Sequence, residues 1–459
     1  MKKTIILALL LTLLTTAKAQ QKYANYYTNL PKPMAQAQEP NIPDYAISLK
    51  DYGGKGDGLT LNTEAFRQAI AHLTAKGGGH LNVPDGIYLT AAITLGSHID
   101  LHLSKNAIIV MTPEKKDMIR KDGKRSAPGI SAEDCTDISV TGEGIIDGNG
   151  EWWRPVKRSK MSDVEWKTYL SKGGTVSKDG TMWYPAPLKH LAQITESPEK
   201  ETNIREDVVR FTDCQRVMLK GVTVLNSPRF HVHPVTCTDV IIDGINVRCD
   251  WNVQNGDGID LSSCKRCLVV NNTLNVGDDG ICMKSGSGEK GLKDGPCEDI
   301  LIQGNTVFHA HGGFVIGSDV SGGMKNIVVR DNRFCMTDIG LRFKSNIDRG
   351  GKTEDIYISH IYMTDIANAA IFFETTYENN KLKDGAEGQT KFSPNFQDIH
   401  ISDIVCRGCK TGIYAKGGDG MIHDIDVERA NIFYTDKATD IGSNCGIRLK
   451  DVVLKTFDM

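Results

Sequence analysis

One phrase returns along this chain and leaves few folds open to it. From Ser131 onward, a turn leads through two variable residues to Asp or Asn, then Ile or Val, then alternating apolar and polar residues closed by Gly or Asn. It reads Cys135-Thr-Asp-Ile138, Cys214-Gln-Arg-Val217, Cys237-Thr-Asp-Val240, Cys297-Glu-Asp-Ile300, Met324-Lys-Asn-Ile327, Thr353-Glu-Asp-Ile356 and Phe396-Gln-Asp-Ile399. From Val240 through Cys267 to Ile399 the anchor positions are 27, 33, 27, 29 and 43 residues apart, mostly within the range of solenoid repeats. Inside each repeat the alternation has period two and is rich in β-branched residues, which is the pattern of a short strand. Stacked at these intervals, such strands give an all-β chain wound as a right-handed parallel β-helix. One coil alone cannot bury its apolar face, so neighbouring coils bury it for one another in ladders of Ile, Val, Phe and Cys.

A solenoid needs a lid on its first coil, where core and strand edges would otherwise face water. Residues 62–76 supply one as a short N-terminal capping helix. Asn62 and Thr63 are cap formers, Glu64 suits the positive first turn, and Ala65, Phe66, Ile70 and Leu73 form one apolar stripe before Gly77-Gly-Gly79 ends the helix. The glycines of Asp51 to Gly58 resemble a phosphate loop only superficially, since the Gly-Lys-Ser/Thr ending is missing. Between residues 148 and 206 the repeat stops. This insertion holds Trp152, Trp153, Trp166, Trp183 and Tyr184 among many lysines. It reads either as a lid with its own small core or as a groove wall presenting aromatic faces to sugar rings. The expected organisation is one β-helix domain over 20–459, with the cap and first coils at 48–130.

Residues 1–19 have the order of a signal peptide: Lys2-Lys3, an apolar run from Ile5 to Leu14, then Ala17-Lys18-Ala19. An exported protein, periplasmic or secreted, is expected. No apolar stretch reaches the roughly 20 residues a membrane span requires, so membrane insertion is not expected. Against 57 acidic residues stand 54 basic ones, three of them in the signal segment. A mildly acidic chain without a clustered positive field is not built for nucleic acid. An anionic substrate would have to meet a local basic patch. Twelve cysteines in an exported chain suggest disulfides, and Cys264-x-x-Cys267 and Cys406-x-x-Cys409 resemble zinc half-sites. Their recurrence three residues before an apolar anchor favours stacked interior thiols instead, with room for one or two disulfides.

Residues one repeat apart lie about 4.8 Å apart along a β-helix, so spacing becomes geometry. Asp257 lies in Asn255-Gly-Asp-Gly-Ile-Asp260, Asp278 and Asp279 in Gly277-Asp-Asp-Gly280, His311 in His309-Ala-His-Gly-Gly313, and Arg342 and Lys344 in Leu341-Arg-Phe-Lys344. Their separations pair Asp257 with Asp278 (21 residues), Asp279 with His311 (32) and His311 with Arg342 (31). Three acids, an imidazole and two cations thus reach one face. Crowded carboxylates repel, so one should hold its proton while others ionise, which is the asymmetry glycoside hydrolysis uses. Arg342 and Lys344 alternate with Phe343 and could grip a sugar carboxylate. Taken singly, Asp-Gly pairs fill turns, and a double Asp could hold calcium. No metal or cofactor is expected here.

At these residues the chain resembles glycoside hydrolase family 28, the polygalacturonases, over nearly its whole length after the signal segment. Asn255-Gly-Asp257 is similar to the family's Asn-Thr-Asp, Asp278-Asp279 to its paired aspartates, His311-Gly312 to Gly-His-Gly and Arg342-Phe-Lys344 to Arg-Ile-Lys; Gly256 and Ala310 depart from the pattern. The resemblance implies an inverting hydrolase acting on galacturonan. It makes Asp278 the general acid, Asp257 and Asp279 the holders of the attacking water, and His311 the tuner of the acid. Arg342, Lys344, Asn255 and, on a weaker match, Tyr377 would bind substrate. The stretches His311 to Ser318 and Asp348 to Gly351 resemble exo-acting bacterial members more than fungal endo-enzymes, so exo action is the expectation. A rhamnogalacturonan hydrolase, a calcium-dependent pectate lyase and a sugar-binding β-helix without catalysis are the rival expectations.

Overall fold

The computed structural model describes residues 22–120, 125–185, 204–376 and 391–456. Residues 1–19, read above as a signal segment, and Tyr377 lie outside them. Among the described residues, thirty-one strands form one continuous sheet in which the pairings between coils are parallel, wound as a right-handed β-helix. The anchors of the repeat stack one on the next: Val217 on Val240, Val240 on Cys267, Cys267 on Ile300, Ile300 on Ile327, Ile327 on Ile356 and Ile356 on Ile399. The same column extends back to Ile138 and Ile99, a turn that the sequence phrase no longer marks.

The residue before each anchor explains the Asp/Asn of the phrase. Asp137, Asp239, Asp299, Asn326, Asp355 and Asp398 all have φ between 51° and 63°, the left-handed region that Asp and Asn tolerate best after glycine. This corner turns the chain from one face of the coil to the next. Two coils put arginine there instead, Arg216 and Arg266, also left-handed. Each guanidinium meets the aspartate one coil earlier, Arg216 on Asp137 and Arg266 on Asp239, and these ion pairs offset the backbone strain. A second corner carries a buried ladder of Asn272, Asn305 and Asn332. Asn272 donates to Asn305 at 2.9 Å and Asn305 to Asn332 at 3.0 Å, while Asn305 and Asn332 also donate to backbone carbonyls of the coil before them.

Inside, Cys214, Cys237, Cys264 and Cys297 form a buried thiol ladder, and all twelve cysteines are free thiols in the structure. The one or two disulfides for which the sequence left room are not formed here; the repeat places thiols where apolar side chains stack. Phe343 and Phe373 stack at 4.4 Å in the same interior. The capping helix spans Thr63–Ala75 and buries Ala65, Phe66, Ala69, Ile70 and Leu73. Asn62 stands at its N-cap without capping through its side chain, which instead bonds the backbone of Lys55, Thr60 and Leu89.

A feature absent from the sequence reading is a strap. Residues 22–43 run outside the coils and cover an outward row of Met218, Ile241, Leu268, Leu301 and Val328 with Tyr23, Tyr26, Tyr27, Leu30, Met34 and Ala37. Tyr23 donates to Asp243, Lys32 pairs with Asp355, and Arg330 donates to the Tyr26 carbonyl.

Between Ile145–Asp147 and Val209–Thr212 the coil opens into the insertion. Its described part holds a helix Asp163–Ser171, capped by Ser162 and Glu165, and a small antiparallel sheet. Val156, Met161 and Trp183 form a separate core with Trp166 and Tyr169 against it. The tryptophans therefore fill cores more than they line a groove. Trp153 joins the main core and Trp152 is exposed.

Candidate active site

The acids come from turns that precede the strands Ile259–Ser262 and Ile281–Lys284, the histidine from the turn before Gly312–Ile316. Strand register corrects the sequence pairing by one residue. Ile259 faces Ile281, and Ile281 faces Phe314. Asp257 therefore stacks on Asp279 rather than Asp278, and His311 stacks on Asp278 rather than Asp279. The inward isoleucines fix the stacking, so the count runs from them and not from the acids. Asp278 lies one coil and one residue from Asp257, a diagonal step of about 6 Å between backbones from strand rises near 3.3 Å and coil spacings near 4.8 Å. Arg342 is also not stacked on His311, whose register partner is Asp338. Arg342 and Lys344 do share one face of Ile339–Lys344, with Phe343 turned inward.

Asp257 and Asp279 are buried, Asp278 is partly buried, and each is answered by a cation or an imidazole. Asp257 is 3 % and Asp279 2 % exposed. Lys284 Nζ lies 3.0 Å from Asp257 Oδ2 and also pairs with Asp260. Arg342 Nη1 donates to Asp279 Oδ1 at 3.2 Å and Lys344 Nζ to Asp279 Oδ2 at 2.8 Å. The sequence assigns these two cations to a sugar; in the structure both are turned to Asp279. Asp278 Oδ1 meets His311 Nδ1 at 3.0 Å and accepts from the Asp279 amide, while Oδ2 accepts from the Asn255 amide at 3.1 Å. Asn255 thus serves Asp278 through its backbone, and its side chain accepts from Arg205 at 2.8 Å. Among the described residues, Asp257 Oδ1 is buried without a hydrogen-bond partner, as is Asp260 Oδ2, and each still calls for a donor such as water.

These surroundings split the acids. Burial pushes the Asp257 carboxyl up to about 7 against the pull of Lys284, with the charges of Asp278 and Asp279 adding to the rise. Burial also raises Asp278, but the His311 hydrogen bond and charge, with Lys344 and Lys160 behind them, prevail and hold it well below the usual carboxylate range. In the unliganded protein the proton sits more readily on Asp257. Donor atoms of Asp278, Asp279 and His311 lie within 4.8 Å of one another, as do those of Asp257, Asp279 and Cys282. A divalent cation would have to displace Lys284, Arg342 and Lys344 from the same carboxylates, which makes the group a poor metal cage.

Three residues of this site escape the sequence reading. Lys284 stands outward at the strand end after the paired aspartates, and Asp260 is inside the quoted acidic motif without a role. Lys160 comes from the insertion, donates to the Gly277 carbonyl at 3.1 Å and meets His311 Nε2 at 2.9 Å. The alternation Ile281-Cys-Met-Lys284 marks Lys284 as outward facing; nothing in the sequence marks Lys160. Gly256, a departure from the family pattern, has a local reason: a Cβ there would come within 2.7 Å of Val253 Cγ1 and 3.1 Å of Cys249 Sγ.

Residues 157–448 match the family model described as glycosyl hydrolases family 28. A probable polygalacturonase of Vitis vinifera is 29% identical over 337 residues, 70% of this chain and 61% of that protein. An exo-poly-alpha-D-galacturonosidase of Dickeya chrysanthemi is 27% identical over 354 residues, 73% of this chain and 58% of that one. The chain thus spans about three fifths of the length of these curated relatives. Among solved structures, a hyperthermoactive exopolygalacturonase from Thermotoga maritima superposes with a TM-score of 0.76 at 28% identity, covering 96% of each chain.

Proposed function

The chain belongs to glycoside hydrolase family 28, and on that footing we propose that it hydrolyses α-linked galacturonic acid residues of a pectin-like polysaccharide, with inversion and from one chain end. The observation that carries this is the diagonal pair, the carboxyls of Asp257 and Asp278 offset by one coil and one residue, inside a basic pocket of an acidic chain. Inversion needs carboxyl groups about 6.5–9.5 Å apart so that water fits between sugar and base, and the diagonal step goes in that direction. In this reading Asp278 protonates the leaving oxygen, while Asp257 and Asp279 hold water for attack on the anomeric carbon. The partnerless Asp257 Oδ1 is the acceptor that such a water would meet.

The low affinity of Asp278 for a proton is a property of the empty site. A galacturonate carboxylate entering beside Lys344, Arg342 and Lys160 would weaken the positive field that holds Asp278 ionised, so substrate itself would load the acid. A second reading, with Asp257 as acid and Asp278 as base, is favoured by the proton's preference for Asp257 in the unliganded protein. A galacturonide with a strongly activated leaving group separates them. General acid catalysis contributes about 10²–10⁴-fold, and that loss in Asp278→Asn should largely vanish on the activated substrate if Asp278 is the acid. Rescue of Asp257→Asn instead would reverse the roles.

Exo action is supported by the insertion, which brings Lys160 to the edge of the acids, and by the exo-acting names of the Dickeya chrysanthemi and Thermotoga maritima relatives, although two Pectobacterium relatives are endo-polygalacturonases. Chromatography of early products from homogalacturonan tests it: release of one small product from chain ends is expected, and a ladder of oligomers would refute it. Activity in a chelator, without an unsaturated product absorbing in the ultraviolet, would set a lyase aside. The signal-like order of residues 1–19 supports export, and in this reading residues 20–459 would be one catalytic domain. Among the described residues no helix is long and apolar enough to cross a membrane.

A further inference from the structure

The stacking that assembles the acids also defines what stands beside them along the axis. Val209 faces Val232, and Val232 faces Ile259. Counting back from these strands, Glu206, Arg229, Gly256, Asp278 and His311 form one column, and Asp207, Phe230, Asp257 and Asp279 the next. Arg229 therefore lies two coils N-terminal to Asp278, about 9.6 Å along the axis. Arg342 and Lys344 lie two coils to the other side.

Arg229 is held in place without being neutralised. Its guanidinium packs on the Phe230 ring at 4.4 Å, and Lys284 Nζ, the partner of Asp257, lies 4.2 Å from the same ring. The acids nearest to it in its own columns are engaged elsewhere: Glu206 by Arg125 and Arg210, Asp207 by His233 at 2.6 Å. Among the described residues Arg229 forms no ion pair, although it is half-buried. Further positive charge surrounds it. Arg154 is 5 % exposed, and its guanidinium donates to the Ser227 carbonyl at 3.3 Å. Arg205 is pushed down to about 10, first by burial and then by the charges of Arg229 and Arg154. A half-buried Arg229 without an ion pair among the described residues, at one end of an acid-lined cleft and beside other cations, is costly to the fold unless an anion comes to it.

We infer that Arg229 binds the carboxylate of a second uronic acid, on a sugar lying along the axis from the cleaved bond, and so selects a polymer of uronates over one that alternates with neutral sugars. The inference rests on the proposed galacturonan hydrolysis and adds to it a specificity-determining residue. Packing over the Phe230 ring holds the guanidinium in place, so less side-chain entropy is lost when a carboxylate accepts its N–H groups.

The test is calorimetric binding of trigalacturonate to protein carrying Asp278→Asn, with and without Arg229→Gln or Arg229→Lys, alongside steady-state kinetics of the single Arg229 variants. Loss of one charge-assisted contact should weaken binding and raise KM about 10- to 100-fold, with kcat changed less than about threefold. Lys should recover part of the loss, and a fully methyl-esterified trimer should bind the Arg and Gln forms alike. Unchanged affinity for the free acid, or an equal loss on acid and ester, would overturn the assignment. If Arg229→Gln does not fold, judged by its thermal melt, the Lys variant with acid and ester ligands decides alone. Failure of the parent chain to hydrolyse galacturonan would sink the proposed function instead, whereas the binding comparison would still read Arg229.

Discussion

At Asp257 the protein sets folding against chemistry. The carboxyl has an ordinary value of 3.8 and is raised to about 7 in the folded chain, so folding disfavours its ionised form. The sign follows: the stabilising contribution of the protonated group is complete below about pH 4 and drains away as pH climbs to about 7, then stays lost. Asp257→Asn should therefore match the parent in thermal stability near pH 4 and exceed it at pH 8, by on the order of a few kcal/mol at about 1.4 kcal/mol per pKa unit, while losing turnover. Equal melting temperatures at pH 8 would contradict the burial account. Lys284 works against that burial. With Asp257 as the base, kcat/KM should fall as pH drops through about 7, and Lys284→Met should move that fall to higher pH. A pH profile unmoved by the substitution would deny Lys284 its part. The sequence reading names the acids, His311 and the Arg-x-Lys pair, yet misses Lys284 because an outward lysine in a strand is usually a solvated one. Only the turn of the coil brings it over Asp257 and Asp260.

At the scale of the element, the corner decides the fold. The repeated Asp or Asn is legible as a signature, and its reason is the left-handed backbone at that one position in each coil. The asparagine ladder at the other corner is the more demanding device, since its amides are buried and serve two coils at once. Asn305→Ala removes the middle rung. It leaves the Asn272 amide, the Asn332 carbonyl side and the Val269 carbonyl short of partners, at about 1–3 kcal/mol for each buried group left unsatisfied. A fall in the urea midpoint of corresponding size, with turnover per folded molecule retained, is the expected outcome. A variant as stable as the parent would mean that water replaces the rung. The cysteine ladder needs no such matching: thiols pack as small apolar groups, and recurrence before each anchor reveals them from the sequence.

Across the whole molecule, the strap and the insertion connect distant coils. Residues 22–43 cover an apolar row contributed by five coils, and Tyr23 is 6 % exposed with its hydroxyl on Asp243. Tyr23→Ala should cost about 3 kcal/mol or more, as for other buried aromatics cut to alanine, and denaturation with catalysis measured in parallel should show stability lost and activity per folded molecule kept. Loss of activity ahead of unfolding would tie the strap to the site, which lies on another face of the coil. The outward row of Met218, Ile241, Leu268 and Leu301 could be seen in the sequence as a second apolar column, but nothing there says which segment covers it.

The repeat, the capping helix, the interior thiols and the acidic motifs followed from the sequence alone, because each is set by neighbours along the chain: period-two alternation, cap chemistry and a left-handed corner are local. Register depends on which inward side chains stack, and it shifted every acid partner by one residue. The turn of Arg342 and Lys344 toward Asp279, the arrival of Lys160 from the insertion, the strap and the column that puts Arg229 in line with Asp278 were decided only by tertiary structure. Contacts between coils are made by residues some 22 to 33 positions apart, and no local rule carries a direction in space over that distance.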